Sequence, residues 1–174
     1  DIPDGEYQDP AFRNNPAETG EFIAIKKTAY YKHTDKDLRE EVQNTGLKLL
    51  QVAESEAKET YIGKNGGFLQ IVRQNSNERM KNLVTYKKMA DRGEKYTLLG
   101  ETPIPGVKNP DAFNYRTGYF SDAKHPESLS GKTAIQNSIK TASAQRVEEV
   151  VIRLEADYPI AEIYEGFKAA LQGN

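Results

Sequence analysis

The sequence contains no cysteine and no tryptophan, and its only histidines are His33 and His125. Without cysteine the chain can form no disulfide, no thiolate nucleophile and no cysteine-ligated zinc site. Two histidines are also too few for a multi-histidine metal centre. Any bound metal must therefore be held mainly by oxygen atoms, which favours Mg²⁺, Mn²⁺ or Ca²⁺ and disfavours Zn²⁺.

Long hydrophobic runs are missing as well. The chain has 174 residues, of which 37% are hydrophobic, and its mean hydropathy is −0.76. No stretch approaches the roughly 20 apolar residues that span a bilayer, so we expect no membrane segment. The length suits one domain, or one domain with an extension.

The charged residues are unevenly distributed. The chain as a whole carries a net charge of −2, which argues against a general nucleic-acid binder. Residues 76–146, however, carry 12 Lys or Arg and 7 Asp or Glu, a local net charge of +5. A basic segment of this kind can hold a polyanion while the whole protein stays acidic.

The first half of the chain predicts an irregular arm, a strand, a helix and a turn. Residues 1–20 are rich in Pro, Gly, Asn and Asp, which is typical of irregular structure. Residues 21–31 predict a strand, and residues 34–60 predict an amphipathic helix in which Gly46 is unfavourable. The sequence KNGG predicts a turn before a short strand, for which residues 21–31 are a candidate partner.

The second half predicts the order helix, strand, strand, strand, helix, strand, helix. The segments are NERMKNLVTYKKMADR, KYTLL, DAFNYR, GYFSDAK, GKTAIQNSIKTASAQ, EEVVIRLE and PIAEIYEGFKAALQ. Gly93 ends the first helix, and Ser128 or Ser130 caps the second. We therefore expect an α/β (α+β) fold with a mixed central sheet flanked by helices. Residues 75–174 form its core, after an extension at 1–74 that acts as a cap or a linker.

The predicted hairpin brings three charged side chains together. A two-residue loop at Thr117-Gly118 pairs residues whose numbers sum to 235, which sets Asp111 opposite Lys124. Asp122 shares a face with Lys124, because side chains at i and i+2 of a strand point the same way. Two carboxylates can bind a divalent cation there, and a neighbouring lysine can orient the water that attacks a phosphodiester. Solvent-exposed salt bridges are the competing interpretation.

The stretch PDAFNYRTGYFSDAK resembles the PD-(D/E)xK motif of the restriction-endonuclease-like nuclease superfamily. Pro110-Asp111 matches the PD pair, and Asp122-Ala123-Lys124 matches (D/E)xK. The core of that superfamily runs helix, three strands, helix, strand, which is the order expected for residues 76–155. The resemblance implies an αβββαβ core and a metal-dependent endonuclease. It also implies that Asp111, Asp122 and Lys124 are catalytic and that both aspartates bind Mg²⁺ or Mn²⁺.

The layout is similar, more narrowly, to the C-terminal nuclease domains of bacterial contact-dependent inhibition and polymorphic toxins. Those domains carry a Glu on the first helix and a Gln before the last apolar strand, and Glu78 and Gln145 stand at these places. The resemblance implies that Glu78 is a third acidic, catalytic metal ligand. It further implies DNA or tRNA as substrate and an immunity protein as partner. Action in the cytoplasm of a target cell, after export within a larger toxin, is implied in the same way.

Five more residues are candidates for binding the substrate backbone. Ser130 and Lys132 stand at the start of a predicted helix, where amide N–H groups and the helix dipole favour a phosphate. Lys140, Gln145 and Arg146 follow on the same segment. Ordinary capping is the competing interpretation for Ser130.

Two other functions stay open. One is a non-catalytic binding or structural module of a phage or mobile-element protein, with the same fold and with its charges held as salt bridges. The other is a metal-independent RNase similar to the barnase–colicin–RelE-like group, with His125 in acid–base chemistry. EDTA should abolish cleavage by a metal-dependent nuclease and leave cleavage by a metal-independent RNase unchanged. A binding module should cleave nucleic acid under neither condition.

Overall fold

Seven strands and four α-helices alternate along the described part of the chain, residues 21–25, 36–56, 59–72, 77–100, 109–145 and 147–172. In this computed structural model the strands are β1 Glu21–Ile25, β2 Glu59–Ile62, β3 Phe68–Ile71, β4 Lys95–Leu98, β5 Ala112–Asn114, β6 Tyr119–Lys124 and β7 Glu149–Arg153. The helices are α1 Lys36–Glu56, α2 Asn77–Asp91, α3 Gly131–Ala144 and α4 Ile160–Leu171. None of these helices is long and apolar enough to cross a membrane.

The chain divides into two compact units. The central unit is Asp35–Ser121, and the terminal unit combines β1 with Asp122–Asn174. The division falls inside β6, between Ser121 and Asp122. The protein is therefore mixed α/β, as expected, and the predicted order of elements from α2 to α4 is confirmed.

The central unit is a mixed sheet with a helix against it. Its strands follow the order β2, β3, β4, β5, β6; β3 and β4 run parallel, and the other neighbours are antiparallel. Helix α2 buries Tyr86 against this sheet, with its ring centroid 4.9 Å from that of Tyr96. Both tyrosines are fully buried, so they form the centre of this layer.

Gly46, predicted to be unfavourable in the helix, has a packing role in α1. A Cβ atom at this position would lie 2.7 Å from Cζ of Phe120, a residue of β6. The helix backbone thus lies directly on the aromatic ring. The intrinsic cost of glycine in a helix, about 1 kcal/mol, is offset here by close contact that a side chain would prevent.

The predicted turn at KNGG is confirmed, and it contacts the C-terminal end of α2. The Lys64–Gly66 segment is a short 3₁₀ turn between β2 and β3. The Asn65 side chain donates a hydrogen bond of 3.3 Å to the carbonyl oxygen of Asp91, at the last residue of α2. Gly93 ends that helix with φ of +94°, a left-handed conformation that glycine adopts at little cost.

The β5–β6 hairpin confirms the two strands but not their register. Ala112 stands opposite Ser121 and Asn114 opposite Tyr119, so paired numbers sum to 233 and not to 235. The loop has four residues, 115–118, because the Gly118 N–H donates to the Asn114 carbonyl at 2.8 Å. The backbone N–H of Asp111 donates to the carbonyl of Ser121, 2.9 Å away. The prediction that Asp111 faces Lys124 is therefore wrong.

In the terminal unit β7 is an inner strand, as predicted, between β1 and β6. It pairs antiparallel with β1, so the suggested pairing of β1 with the strand after KNGG is wrong. Helices α3 and α4 pack closely, since a Cβ atom at Gly166 would lie 2.6 Å from Cβ of Ile135. This contact fixes the course of α3, which returns the chain from β6 to β7.

Alkaline pH should destabilise the central unit through Tyr115. Its hydroxyl donates to Glu54 at 2.7 Å and contacts the Thr97 hydroxyl at 2.9 Å. Burial chiefly raises the Tyr115 pKa; the Thr97 hydrogen bond lowers it, and the Glu54 bond and charge raise it. The folded state therefore favours the neutral phenol, and Tyr115 contributes to the free energy of unfolding. This contribution is complete below the unfolded pKa of about 10 and is lost as pH rises through the folded pKa.

In Tyr115→Phe the free energy of unfolding should therefore fall less between about pH 9 and 11 than it does in the wild type. Urea unfolding midpoints at several pH values measure this. If the urea midpoint of the variant falls with pH as steeply as that of the wild type, groups other than Tyr115 cause the loss of stability at alkaline pH.

Candidate active site

The predicted Asp-x-Lys motif forms a buried ion pair at the end of β6. The Lys124 ammonium lies 2.7 Å from Oδ2 of Asp122. The Asp122 side chain is 4% exposed and the Lys124 side chain 20% exposed. The two therefore share a face of the strand, as predicted from their i, i+2 spacing. Solvent-exposed salt bridges, the competing interpretation, do not describe this pair.

Gln145 lies against the same carboxylate. It is the C-cap of α3, where its backbone N–H donates to the carbonyl of Ala142. With its side-chain nitrogen turned toward Asp122, Gln145 donates to Oδ2 at 2.8 Å and to Oδ1 at 3.1 Å. The opposite orientation would set an amide oxygen against a carboxylate, which electrostatic repulsion disfavours. Gln145 was predicted to bind substrate; its observed contact is with Asp122.

Burial explains why Asp122 has two partners. Removing a carboxylate from water costs several kcal/mol unless charge and hydrogen bonds compensate. Lys124 supplies the charge and one donor, and Gln145 supplies an amide donor that bridges both oxygens. A carboxylate has about four lone-pair positions, so these contacts leave acceptor capacity on Oδ1. Asp122 can thus still accept a hard cation.

Asp111 directly precedes β5, in the central unit. Its backbone carbonyl accepts from the Leu99 N–H at 2.9 Å, and its N–H donates to Ser121, the residue before Asp122. The side chain is partly buried, and Pro110 before it is buried. The backbone of Asp111 is thus fixed from both sides, by β4 and by β6.

The remaining predicted residues have different surroundings. Ser130 is the N-cap of α3, and its hydroxyl accepts from the Thr133 N–H at 3.3 Å, so the capping interpretation describes its observed contact. Lys132 and Lys140 are exposed on α3. Glu78 belongs to the first turn of α2, but its side chain lies outside the described residues, as does Arg146.

The chain was compared with protein-family models, with curated proteins and with solved structures. None of the three comparisons found a match. The resemblance to PD-(D/E)xK nucleases therefore rests on the motif and the order of elements alone.

The arrangement in the terminal unit combines an anionic ligand with a fixed cation. Asp122 offers a buried carboxylate, and Lys124 holds an ammonium with further N–H donors beside it. Among the described side chains, which exclude that of Glu78, no three His, Cys, Asp or Glu residues gather as a metal-binding group. The site can bind a cation through Asp122 and an anionic group through Lys124.

Proposed function

We propose that this chain is a divalent-metal-dependent nuclease that hydrolyses phosphodiester bonds of DNA or tRNA. The observation that carries the proposal is the buried Asp122 carboxylate, held by Lys124 at 2.7 Å and bridged by the Gln145 amide. A carboxylate that is buried beside a specific charge partner is a candidate ligand for a hard divalent cation.

The order of elements supports the same proposal. Helix α2, strands β4, β5 and β6, helix α3 and strand β7 follow one another as helix, three strands, helix, strand. That is the order which the resemblance to the PD-(D/E)xK superfamily implies. A restriction-endonuclease-like core, with Asp111 and Asp122 on adjacent strands, is part of the proposal.

The donor set suits Mg²⁺ or Mn²⁺. Hard divalent cations prefer carboxylate oxygens, and Asp122 keeps acceptor capacity beside its two partners. Asp111 and Glu78 would complete the ligands, according to the resemblance. A divalent cation, when bound, neutralises phosphate charge and makes a water molecule more acidic.

The protein side chains have separable roles in this proposal. Lys124 orients the attacking water or stabilises charge on the phosphate, since its ammonium is fixed at the end of β6. Gln145 holds the Asp122 carboxylate in place. Lys132 and Lys140, both exposed on α3, approach the substrate backbone together with Ser130 and Arg146.

The biological setting is proposed by resemblance. A toxin effector domain would act in the cytoplasm of a target cell after delivery, and an immunity protein would neutralise it. The local charge of +5 over residues 76–146 suits a nucleic-acid substrate, and equally an acidic inhibitor.

A structural ion pair is the second candidate role for these residues. Lys124 and Gln145 already satisfy the Asp122 carboxylate, as they would in a non-catalytic module. Activity measurements distinguish the two interpretations.

The purified protein should cleave plasmid DNA or total tRNA in Mg²⁺ or Mn²⁺ and should not cleave either in EDTA. Lys124→Ala should lower the rate at least about 100-fold, since it removes a group aimed at developing charge. Lys168→Ala, at an exposed position of α4, is the matched control and should cleave like the wild type. Cleavage that persists in EDTA would favour a metal-independent RNase. No cleavage under any condition, by a folded protein, would favour the binding module.

A further inference from the structure

An arginine in the first turn of α2 contacts the backbone beside Asp111. Arg79 Nη1 donates a hydrogen bond of 2.7 Å to the carbonyl oxygen of Leu99. The N–H of Leu99 donates in turn to the carbonyl oxygen of Asp111, 2.9 Å away. A single residue, Leu99, directly after β4, thus joins the start of α2 to the Pro110-Asp111 segment through its carbonyl and its N–H.

A second contact joins α2 to the other neighbour of Asp111. The Tyr86 hydroxyl lies 2.8 Å from the Ser121 hydroxyl, and both side chains are buried. The carbonyl of Ser121 accepts the N–H of Asp111 at 2.9 Å. Helix α2 is therefore tied to the strand on each side of Asp111, through Arg79 at Leu99 and through Tyr86 at Ser121.

The position of Glu78 follows from the same helix. Asn82 is 5% exposed, and Tyr86 is fully buried. Positions 78, 82 and 86 are spaced by four residues, so they share one face of α2. Helix position 78 accordingly lies on the face that α2 turns toward the strands, one turn before Asn82.

We propose that Arg79 is a positioning residue that fixes the first turn of α2, and with it Glu78, beside Asp111. The inference rests on the proposed function, in which Glu78 and Asp111 are ligands of one divalent cation. It adds a residue that the motif does not contain and gives it a role distinct from binding substrate.

The chemistry of this hydrogen bond suits that role. The first turn of a helix lacks partners for its own N–H groups and frays readily. A guanidinium bonded to a carbonyl is a charge-assisted contact, stronger than a neutral one. Leu99 is 1% exposed, so water competes little for its carbonyl. The bond can therefore hold the first turn of α2 in one place.

Binding of Mn²⁺ to the full chain, measured by titration calorimetry without nucleic acid, tests the inference. Arg79→Met should weaken Mn²⁺ binding at least about 10-fold, the lower end of the loss seen when a residue that orients a metal ligand is removed. In a Glu78→Gln background the same change should have no further effect, because there is no carboxylate left to position. Arg79→Lys should lose less, since it keeps a cationic donor. Lys81→Met, at an exposed position on the same helix, should bind like the wild type.

The outcomes separate the two proposals. If the wild type binds Mn²⁺ and Arg79→Met binds it equally well, the positioning role is wrong and the nuclease proposal stands. A 10-fold loss that is equally large with and without the Glu78 carboxylate would mean a general structural role and would overturn the inference. A wild type that binds no Mn²⁺ contradicts the proposed function, and the inference fails with it. Where Arg79→Met does not fold, the comparison of Arg79→Lys with and without Glu78→Gln decides in the same way.

Discussion

Replacing Lys124 by Met should lower the free energy of unfolding by about 3–5 kcal/mol, because it leaves the buried Asp122 carboxylate without its countercharge. The same variant should lose metal-dependent cleavage. Asp122→Asn should cost less stability, since the Lys124 side chain is 20% exposed and its ammonium can turn to water. Urea unfolding and plasmid or tRNA cleavage measure the two effects on the same preparations.

The double variant Asp122→Asn/Lys124→Met separates structure from catalysis. Removing both charges should restore part of the stability that Lys124→Met loses, because no charge is then left buried without its partner. Cleavage should stay at least about 100-fold below the wild type, since neither the anionic ligand nor the cation remains. Gln145 keeps a hydrogen-bonding partner in this variant and so remains in place.

If the double variant regains both stability and cleavage, the Asp122–Lys124 pair is a structural salt bridge without a catalytic role. Cleavage that falls only in proportion to the folded fraction of each single variant would lead to the same conclusion. Either result would favour the non-catalytic module, or an active site elsewhere in the chain.

The order of elements was predictable because local signals mark most of their ends. Ser130 caps α3 through its hydroxyl, and Gly93 ends α2 with a positive φ. Such signals act within a few residues, so a single sequence contains them. The partner of β1 is not predictable in this way, because β7 lies far along the chain and strand pairing over that distance depends on packing of the whole unit.

The error in the hairpin register has a specific physical cause. The predicted and observed registers differ by two residues, and a shift of two leaves every side chain on the same face of its strand. The alternation of apolar and polar residues therefore cannot distinguish them. The Asn114 side chain stabilises the observed four-residue loop, since its Oδ1 accepts from the Arg116 N–H at 2.9 Å.

The candidate site was predictable in its centre and not in its surroundings. Asp122 and Lys124 lie two residues apart on one strand, and spacing alone places them together. The Gln145 amide reaches Asp122 only because α3 returns the chain to β7, and Arg79 reaches Leu99 only because α2 lies on the sheet. Contacts made across elements need the tertiary structure, and no short motif contains them.

Gly67→Ala should destabilise the central unit by about 3 kcal/mol, the upper end of the usual cost of overpacking. A Cβ atom at Gly67 would lie 1.9 Å from the carbonyl oxygen of Ala90 and 2.7 Å from that of Glu94. Its φ of −76° and ψ of 161° suit alanine, so the cost arises from lack of space alone. Both obstacles are backbone atoms, one in the last turn of α2 and one just after the helix, which no side-chain rotation can move.

Gly66 provides the matched control for this effect. Its φ of +80° is left-handed, but nothing lies within 4 Å of a Cβ placed there. Gly66→Ala should therefore cost about 1–2 kcal/mol, from backbone strain without a clash. Urea unfolding of both variants compares the two mechanisms in adjacent residues. Equal losses, or a larger loss at Gly66, would mean that the turn moves away from α2 when a methyl group is added. In the expected case the turn and the C-terminal end of α2 pack as one rigid body, which steadies the helix that carries Glu78 and Arg79 at its other end.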